Sequence, residues 1–147
     1  MTYYDWISYF DNLKNAPIND KAINFINSSD VSYKGNIKIR FQNHIIDLIN
    51  YRLNNSLDNF LLKIKIISQD NNTFIIEINE LKKEIEFAKN LAQVKFFDEN
   101  DKQNVLYNIS EFVNEMTNSI KLSFENVENS EMLMIINNLD LENKNGL

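Results

Sequence analysis

The sequence of 147 residues has no cysteine, one proline and two glycines. Without cysteine the chain can form neither disulfides nor thiolate-ligated zinc sites, and it has no thiol nucleophile. Sandwiches and barrels of β-strands need many turns, and such turns draw on glycine and proline. The scarcity of both residues therefore predicts a few long elements of secondary structure, which means helices.

Long apolar runs and a basic leader are missing as well. No apolar run approaches 18 residues, and the opening "MTYYDWISYF" lacks the basic segment of a signal peptide. We therefore expect no membrane contact and a cytoplasmic location. The chain has 26 asparagines and 20 isoleucines but only four alanines, a bias typical of an AT-rich genome, and we expect a bacterial or phage-like context.

The hydrophobic content of 44% is enough for a folded core, and apolar residues recur at helical spacing along most of the chain. Thr2, with Asp5 three residues later, predicts the start of the first helix, and "DENDKQ" predicts the start of a late one. We expect an all-α fold. Residues 1–140 should form a single compact bundle of five to seven helices, and residues 141–147 a polar, frayed tail.

A long central helix is expected across "FQNHIIDLINYRLNNSLDNFLLKIKI", residues 41–66. Its apolar stripe changes face by about 120° to 130° at "RLNNS". Either the helix is kinked near residues 54–56 and restarts with Asn55 as its N-cap, or one continuous helix buries different faces against different neighbours. The pattern favours neither alternative.

Arg52 occupies a position where the apolar stripe of its own helix should continue. An unpaired buried guanidinium would be very costly. Arg52 therefore marks a helix end, extends along its stem to water, or pairs with a carboxylate from the acidic C-terminal half. We hypothesise the last of these, a buried ion pair.

Charge is segregated along the chain. Residues 31–69 hold six cationic residues and two aspartates, a balance of +4, whereas residues 70–147 hold fifteen acids and seven lysines, a balance of −8. The two segments can pack beside each other, or one surface can be complementary to a charged partner.

The basic residues Lys34, Lys38 and Arg40 lie near the start of the central helix, where a recognition helix would contact phosphate groups. Residues 33–44 therefore indicate an alternative function, that of a nucleic-acid-binding regulator. The net charge of −6 weighs against it, because the field of the whole protein would repel phosphate.

Residues 74–97 carry two apolar lines on one predicted helix. One line runs from Ile78 to Phe96, and the other lies on the opposite side. Such a helix is either sandwiched within the bundle, which we favour, or contacts another protein, including a second copy of this chain. Together with the aromatic N-terminus, this pattern gives five candidate interaction residues: Tyr4, Trp6, Phe87, Leu91 and Val94.

Catalytic motifs are not apparent. His44 lies three residues before Asp47, so the two side chains can meet on one helix face. A contact between them could orient the imidazole for acid–base chemistry, but no nucleophile elbow accompanies it. Phosphate-binding loops, dinucleotide fingerprints and the zinc-binding HExxH motif are absent. We therefore expect no enzyme and no cofactor.

Carboxylates form two acidic flanks that could bind Mg²⁺ or Ca²⁺. Runs of this kind are usually solvated helix faces, and we expect no metal site. The flanks comprise Glu77, Glu80 and Glu84 on one helix, and Glu111 and Glu115 on another.

These features favour a non-catalytic protein-interaction module, such as an accessory subunit, a regulator or an inhibitor of a larger protein. The partner is expected to be another protein or a second copy of this chain through residues 74–97. A nucleic-acid-binding regulator is the alternative.

Overall fold

The computed structural model describes residues 1–30 and 36–142, which form seven α-helices and no strand. This confirms the all-α bundle with a long central helix. The helices are α1 (Tyr3–Leu13), α2 (Asp20–Ser28), α3 (Asn36–Leu62), α4 (Ile64–Ile67), α5 (Asn71–Leu91), α6 (Glu99–Ser123) and α7 (Ser130–Asn137).

Short polar residues set the starts of five helices. At α1, the hydroxyl of Thr2 accepts the backbone N–H of Asp5, and the carboxylate of Asp5 accepts the backbone N–H of Thr2 at 2.8 Å. This reciprocal pair is the cap expected from the sequence. Four other helices, α2, α5, α6 and α7, have single side-chain caps from Asn19, Asp70, Asp98 and Asn129. Each cap satisfies an N–H that has no partner within the first turn.

The three longest helices, α3, α5 and α6, pack against one another. α5 runs antiparallel to α3, because Arg52 pairs with Glu84 whereas Lys63, immediately after the end of α3, pairs with the earlier residue Glu77. This arrangement places cations from the basic middle of the sequence beside glutamates of α5.

α6 runs in the same direction as α3. Gln42 bonds to Asp101 near the start of both helices, and the ring of Phe60 contacts that of Phe124 near their ends. The two ends of the bundle therefore differ: the N-termini of α3 and α6 share one, and their C-termini share the other.

α1 packs along the first half of α3 and runs parallel to it. Tyr3 stacks on Phe41 with ring centroids 5.7 Å apart, and the last residue of α1, Leu13, lies beside Arg52. Because α1 ends there, the second half of α3 is left without this neighbour. A cluster of contacting rings fills the interface: Trp6, Phe10, Phe41 and Phe96.

α3 is one helix through residues 54–56, so it does not restart at Asn55. It ends at Leu62, and Lys63 separates it from the single turn of α4. The stripe changes face because the neighbours change: Phe41 meets rings of α1, whereas Phe60 meets rings of α5 and α6. Of the two alternatives, the structure therefore has the continuous helix, which buries different faces against different neighbours over residues 36–62.

The C-terminal segment after α7 remains packed up to the end of the described chain. Leu139 and Leu141 are buried, and Glu142 pairs with Lys89 of α5 at 2.7 Å. Packing thus includes the first two residues of the segment expected to be a polar tail. Residues 143–147 of that segment lie outside the described residues.

Candidate functional site

Arg52 is the buried charged residue at the junction of three helices, with 7% of its surface exposed. Its Nε donates to Oε2 of Glu84 at 3.1 Å, and its Nη2 donates to Oε1 at 2.7 Å. Two parallel, charge-assisted hydrogen bonds are the strong form of an arginine–carboxylate pair. Of the three alternatives drawn from the sequence, the structure has the pairing with a carboxylate from the acidic half.

The same guanidinium also caps the C-terminus of α1. Its Nη1 donates to the backbone carbonyls of Leu13 at 2.6 Å and Ala16 at 2.7 Å. The last carbonyls of a helix lack partners within it and form the negative end of its dipole, so a cation is favourable there. The ring of Phe87 completes the environment, 5.0 Å from Cζ of Arg52. One side chain thus connects α1, α3 and α5.

Three adjoining cavities surround this ion pair. The first, of about 270 Å³, lies between α3 and α5, and the second, of about 210 Å³, lies where the α1–α2 linker meets α3. The third, of about 560 Å³, lies between that linker and α5. Glu84 lines all three. Much of the remaining lining is polar, which suits a charged or hydrogen-bonding guest better than an apolar small molecule: Asn55, Ser56, Asn59, Lys63, Glu77 and Glu80.

Four of the five candidate interaction residues belong to the core. Trp6, Phe87, Leu91 and Val94 are all at most 3% exposed, so no partner can reach them in this conformation. Their assignment as contact residues is therefore corrected: their apolar character supports the fold. Tyr4 differs, because 78% of its surface is exposed.

The two apolar lines of residues 74–97 are both buried, with Ile76 as an exposed exception. The helix predicted over residues 74–97 ends at Leu91 in the structure, so Val94 and Phe96 of these lines lie beyond it. α5 itself is sandwiched within the bundle, because α3 and α6 pack against it and α2 adds a further contact. This is the favoured alternative of the sequence. It also removes the apolar face on which a homo-oligomer through these residues was based.

The basic start of α3 does not present its cations on one face. Lys38 and Arg40 are two residues apart, which separates them by about 200° around a helix. Lys38 is partly buried near Asp98. The pKa of Asp98 is lowered mainly by a hydrogen bond from the backbone of Asp101, and the charge of Lys38 contributes. Lys34, the third candidate phosphate contact, lies outside the described residues.

Arg40 belongs instead to a small exposed group that we call the tyrosine–arginine surface, formed by Tyr3, Tyr4 and Arg40. The guanidinium carbon of Arg40 lies 6.0 Å from the ring centroid of Tyr3, and the ring of Tyr4 meets Tyr3 edge to face at 5.5 Å. Beneath them Tyr3 stacks on the buried Phe41. The core therefore holds the inner ring in place, while the outer ring and the guanidinium are exposed.

His44 is partly exposed and Asp47 is exposed, and neither lines the three cavities. Within residues 1–30 and 36–142, no three histidine or carboxylate side chains form a group that could hold a metal ion. The first acidic flank is paired with cations, Glu77 with Lys63 at 3.5 Å and Glu80 with Lys83 at 3.2 Å, in addition to the Glu84 pair.

Gln42 has a structural role that the sequence did not indicate. It lies within the segment considered for nucleic-acid contact, yet its Nε2 donates to the carbonyl of Phe96 at 2.7 Å and to Asp101 at 3.1 Å. It therefore ties α3 to the α5–α6 connection. A polar residue beside an apolar stripe carries no local signal for such a bond.

Comparison of this chain with protein-family models, with curated proteins and with solved structures finds no match. In the part of the chain that the structure describes, no helix combines the length and the apolar character needed to cross a membrane.

Proposed function

We propose that this protein is a non-catalytic interaction module, an accessory subunit, regulator or inhibitor, that binds another protein through the tyrosine–arginine surface. The observation that carries the proposal is that the exposed ring of Tyr4 and the exposed guanidinium of Arg40 both contact Tyr3, whose ring the core holds in place. Tyrosine and arginine are enriched at protein contacts and dominate their energetic centres. The partner would supply an apolar pocket for Tyr4 and a carboxylate for Arg40.

The rarity of arginine supports a specific role for Arg40. The chain has thirteen lysines and two arginines. Arg52 uses the planar, forked guanidinium in a way that lysine could not reproduce. Arg40 is the other arginine, and it lies over the ring of Tyr3, which orients the guanidinium. It forms no ion pair with any residue in 1–30 or 36–142, so its N–H groups are available to a partner's carboxylate.

Nucleic-acid binding is the alternative. Tyrosines beside a cation can stack on bases, which favours single-stranded nucleic acid as a guest of the same surface. The separation of Lys38 from Arg40 around α3 and the net charge of −6 weigh against it. We therefore rank a protein partner first.

The test is a low-salt affinity purification from the native host with wild type, Tyr4→Ala, Arg40→Glu and a control, Tyr107→Ala, which removes another exposed tyrosine, on α6. We expect one protein at stoichiometric yield with wild type and the control, and at least tenfold less with the Tyr4 and Arg40 variants. Arg40→Lys should give an intermediate yield, because it retains the charge and loses the fork.

Three outcomes would overturn the proposal. The companion protein could be recovered equally with Tyr4→Ala and Arg40→Glu. Absorbance at 260 nm could reveal nucleic acid that dissociates as salt is raised, which would favour the alternative. Light scattering could show a dimer of this chain that Tyr4→Ala dissociates, which would make the partner a second copy.

A further inference from the structure

The groove between α3 and α5 remains open beyond the end of α1. The α1–α2 linker crosses it at the Arg52–Glu84 pair, and the Lys63–Glu77 pair lies further along. We call the intervening stretch the open groove and define it by Asn55, Ser56 and Asn59 on α3 with Glu77 and Glu80 on α5.

The open groove lies well away from the tyrosine–arginine surface. From Arg40 to Asn55 is roughly 22 Å along a helix at 1.5 Å per residue. The two surfaces can therefore be altered separately, and the groove does not depend on the function proposed above.

We propose that the open groove binds an extended, lysine- or arginine-bearing segment of another protein. One side of the groove offers side-chain amides and the other offers carboxylates, so a guest can be held through its backbone and its side chains at once. The expected partner is a basic chain in an extended conformation.

The amide side matches the repeat of an extended backbone. Asn55 and Asn59 are four residues apart, which is about 6 Å along α3. Alternate residues of an extended chain repeat at about 6.6 to 6.8 Å. Each amide offers one acceptor and two donors, complementary to a backbone C=O and N–H, and neither bonds to another residue in the described ranges. A helical guest would not suit, because its own backbone groups are already paired.

The acidic side is held by replaceable cations. Lys63 and Lys83 pair with Glu77 and Glu80, but the two lysines are 52% and 65% exposed. Exposed pairs of this kind contribute only about 0 to 1 kcal/mol. A guest lysine or arginine can therefore take either carboxylate at little cost, while the displaced lysine returns to water.

The charge of the whole molecule favours the same guest. The net charge is −6, and residues 70–147, which include the acidic side, carry −8. Such a field attracts a basic segment and raises its association rate. The exposed lining lacks an apolar seam: Phe60 and Leu81 of the groove are buried, so an amphipathic helix would find no hydrophobic surface there.

The test uses fluorescein-labelled octapeptides and fluorescence anisotropy in 50 mM salt. The probes are (Lys-Ser)4, (Glu-Ser)4, and a (Lys-Ser)4 with alternate backbone nitrogens methylated. We expect (Lys-Ser)4 to bind at least tenfold more tightly than either other probe. Glu77→Gln with Glu80→Gln, and separately Asn55→Ala with Asn59→Ala, should each weaken its binding at least fivefold.

The matched control is Glu111→Gln with Glu115→Gln, which removes two exposed carboxylates from α6. It should change binding less than twofold. An equal loss in this control would mean that the probe responds only to net charge, and equal binding of the methylated probe would mean that the backbone is not read. Either result, or no binding of (Lys-Ser)4, would overturn the proposal. The tyrosine–arginine surface would be unaffected, because Tyr4→Ala should leave (Lys-Ser)4 binding unchanged.

Discussion

Arg52 and Glu84 lie 32 residues apart in the sequence, and two hydrogen bonds join them across the interface of α3 and α5. We expect Arg52→Ala to lower the free energy of unfolding by about 3 kcal/mol. The substitution leaves the carboxylate and the carbonyls of Leu13 and Ala16 without their donor. Urea unfolding followed by the fluorescence of Trp6, which is the only tryptophan and is buried, measures this loss.

The control for this pair is Lys63→Ala. It breaks an ion pair whose members are partly exposed, so the free energy of unfolding should change by less than about 1 kcal/mol. If Arg52→Ala and Arg52→Met both left stability unchanged or higher, the charge of Arg52 would have no structural role.

Because α3 is continuous, the sign of the stability change on replacing Asn55 can be predicted. Asn55 is exposed and lies within the helix, where alanine is intrinsically better, so Asn55→Ala should raise the free energy of unfolding by about 0.5 kcal/mol. Asn129 is a true N-cap, and Asn129→Ala should lower it by about 1 kcal/mol. A loss of similar size at Asn55, measured by urea unfolding, would indicate a helix start there.

The aromatic cluster between α1 and α3 predicts a large loss. Phe41 is buried and contacts the rings of Tyr3 and Phe96, so Phe41→Ala should lower the free energy of unfolding by about 3 to 5 kcal/mol. Tyr4→Ala, one residue along from Tyr3, should change it by no more than about 0.5 kcal/mol, because that ring is exposed. Similar losses in the two variants would contradict the burial described here.

The cap at the start of α6 predicts that the stability of the fold depends on pH in the acid range. The backbone N–H of Asp101 donates to Oδ1 of Asp98 at 2.8 Å, and this bond lowers the pKa of Asp98 in the folded protein. Its stabilising effect is therefore present above the unfolded pKa of about 4, and is lost as pH falls through the lower folded pKa. Thermal unfolding between about pH 2 and pH 5 measures it.

Asp98→Asn keeps a capping oxygen and removes the titrating group, so the variant should lose less stability than wild type over that acid range. Identical pH profiles for the two proteins would show that Asp98 does not contribute through its charge.

The sequence predicted the features that local chemistry encodes. The Thr2 and Asp5 cap depends on residues three apart, and the helical class follows from apolar spacing with few turn residues. Arg52 could be identified because a cation within an apolar stripe needs a partner. Its partner Glu84 could not be chosen, because the C-terminal half offers fifteen acids and the pairing depends on how α5 lies against α3.

The interaction residues illustrate the limit of the pattern. An apolar line that faces a partner protein and one that faces a second layer of the same fold have the same spacing. Leu91 and Val94 are buried because neighbouring elements pack around that end of α5, and no property of residues 74–97 alone states that such neighbours exist. Tyr4 was selected from the same kind of apolar and aromatic pattern, yet its side chain is exposed whereas those of Leu91 and Val94 are buried.

The cap of α1 has a consequence for the order of assembly. Many helices end at a glycine that directly follows the last turn. Here the last carbonyl of α1, that of Leu13, is bonded instead by the guanidinium of Arg52, 39 residues later in the sequence. During synthesis the first helix emerges before the residue that completes it. The carbonyl of Leu13 lacks this partner until α3 has formed and docked, so the end of the first helix is completed only by a residue that is synthesised later.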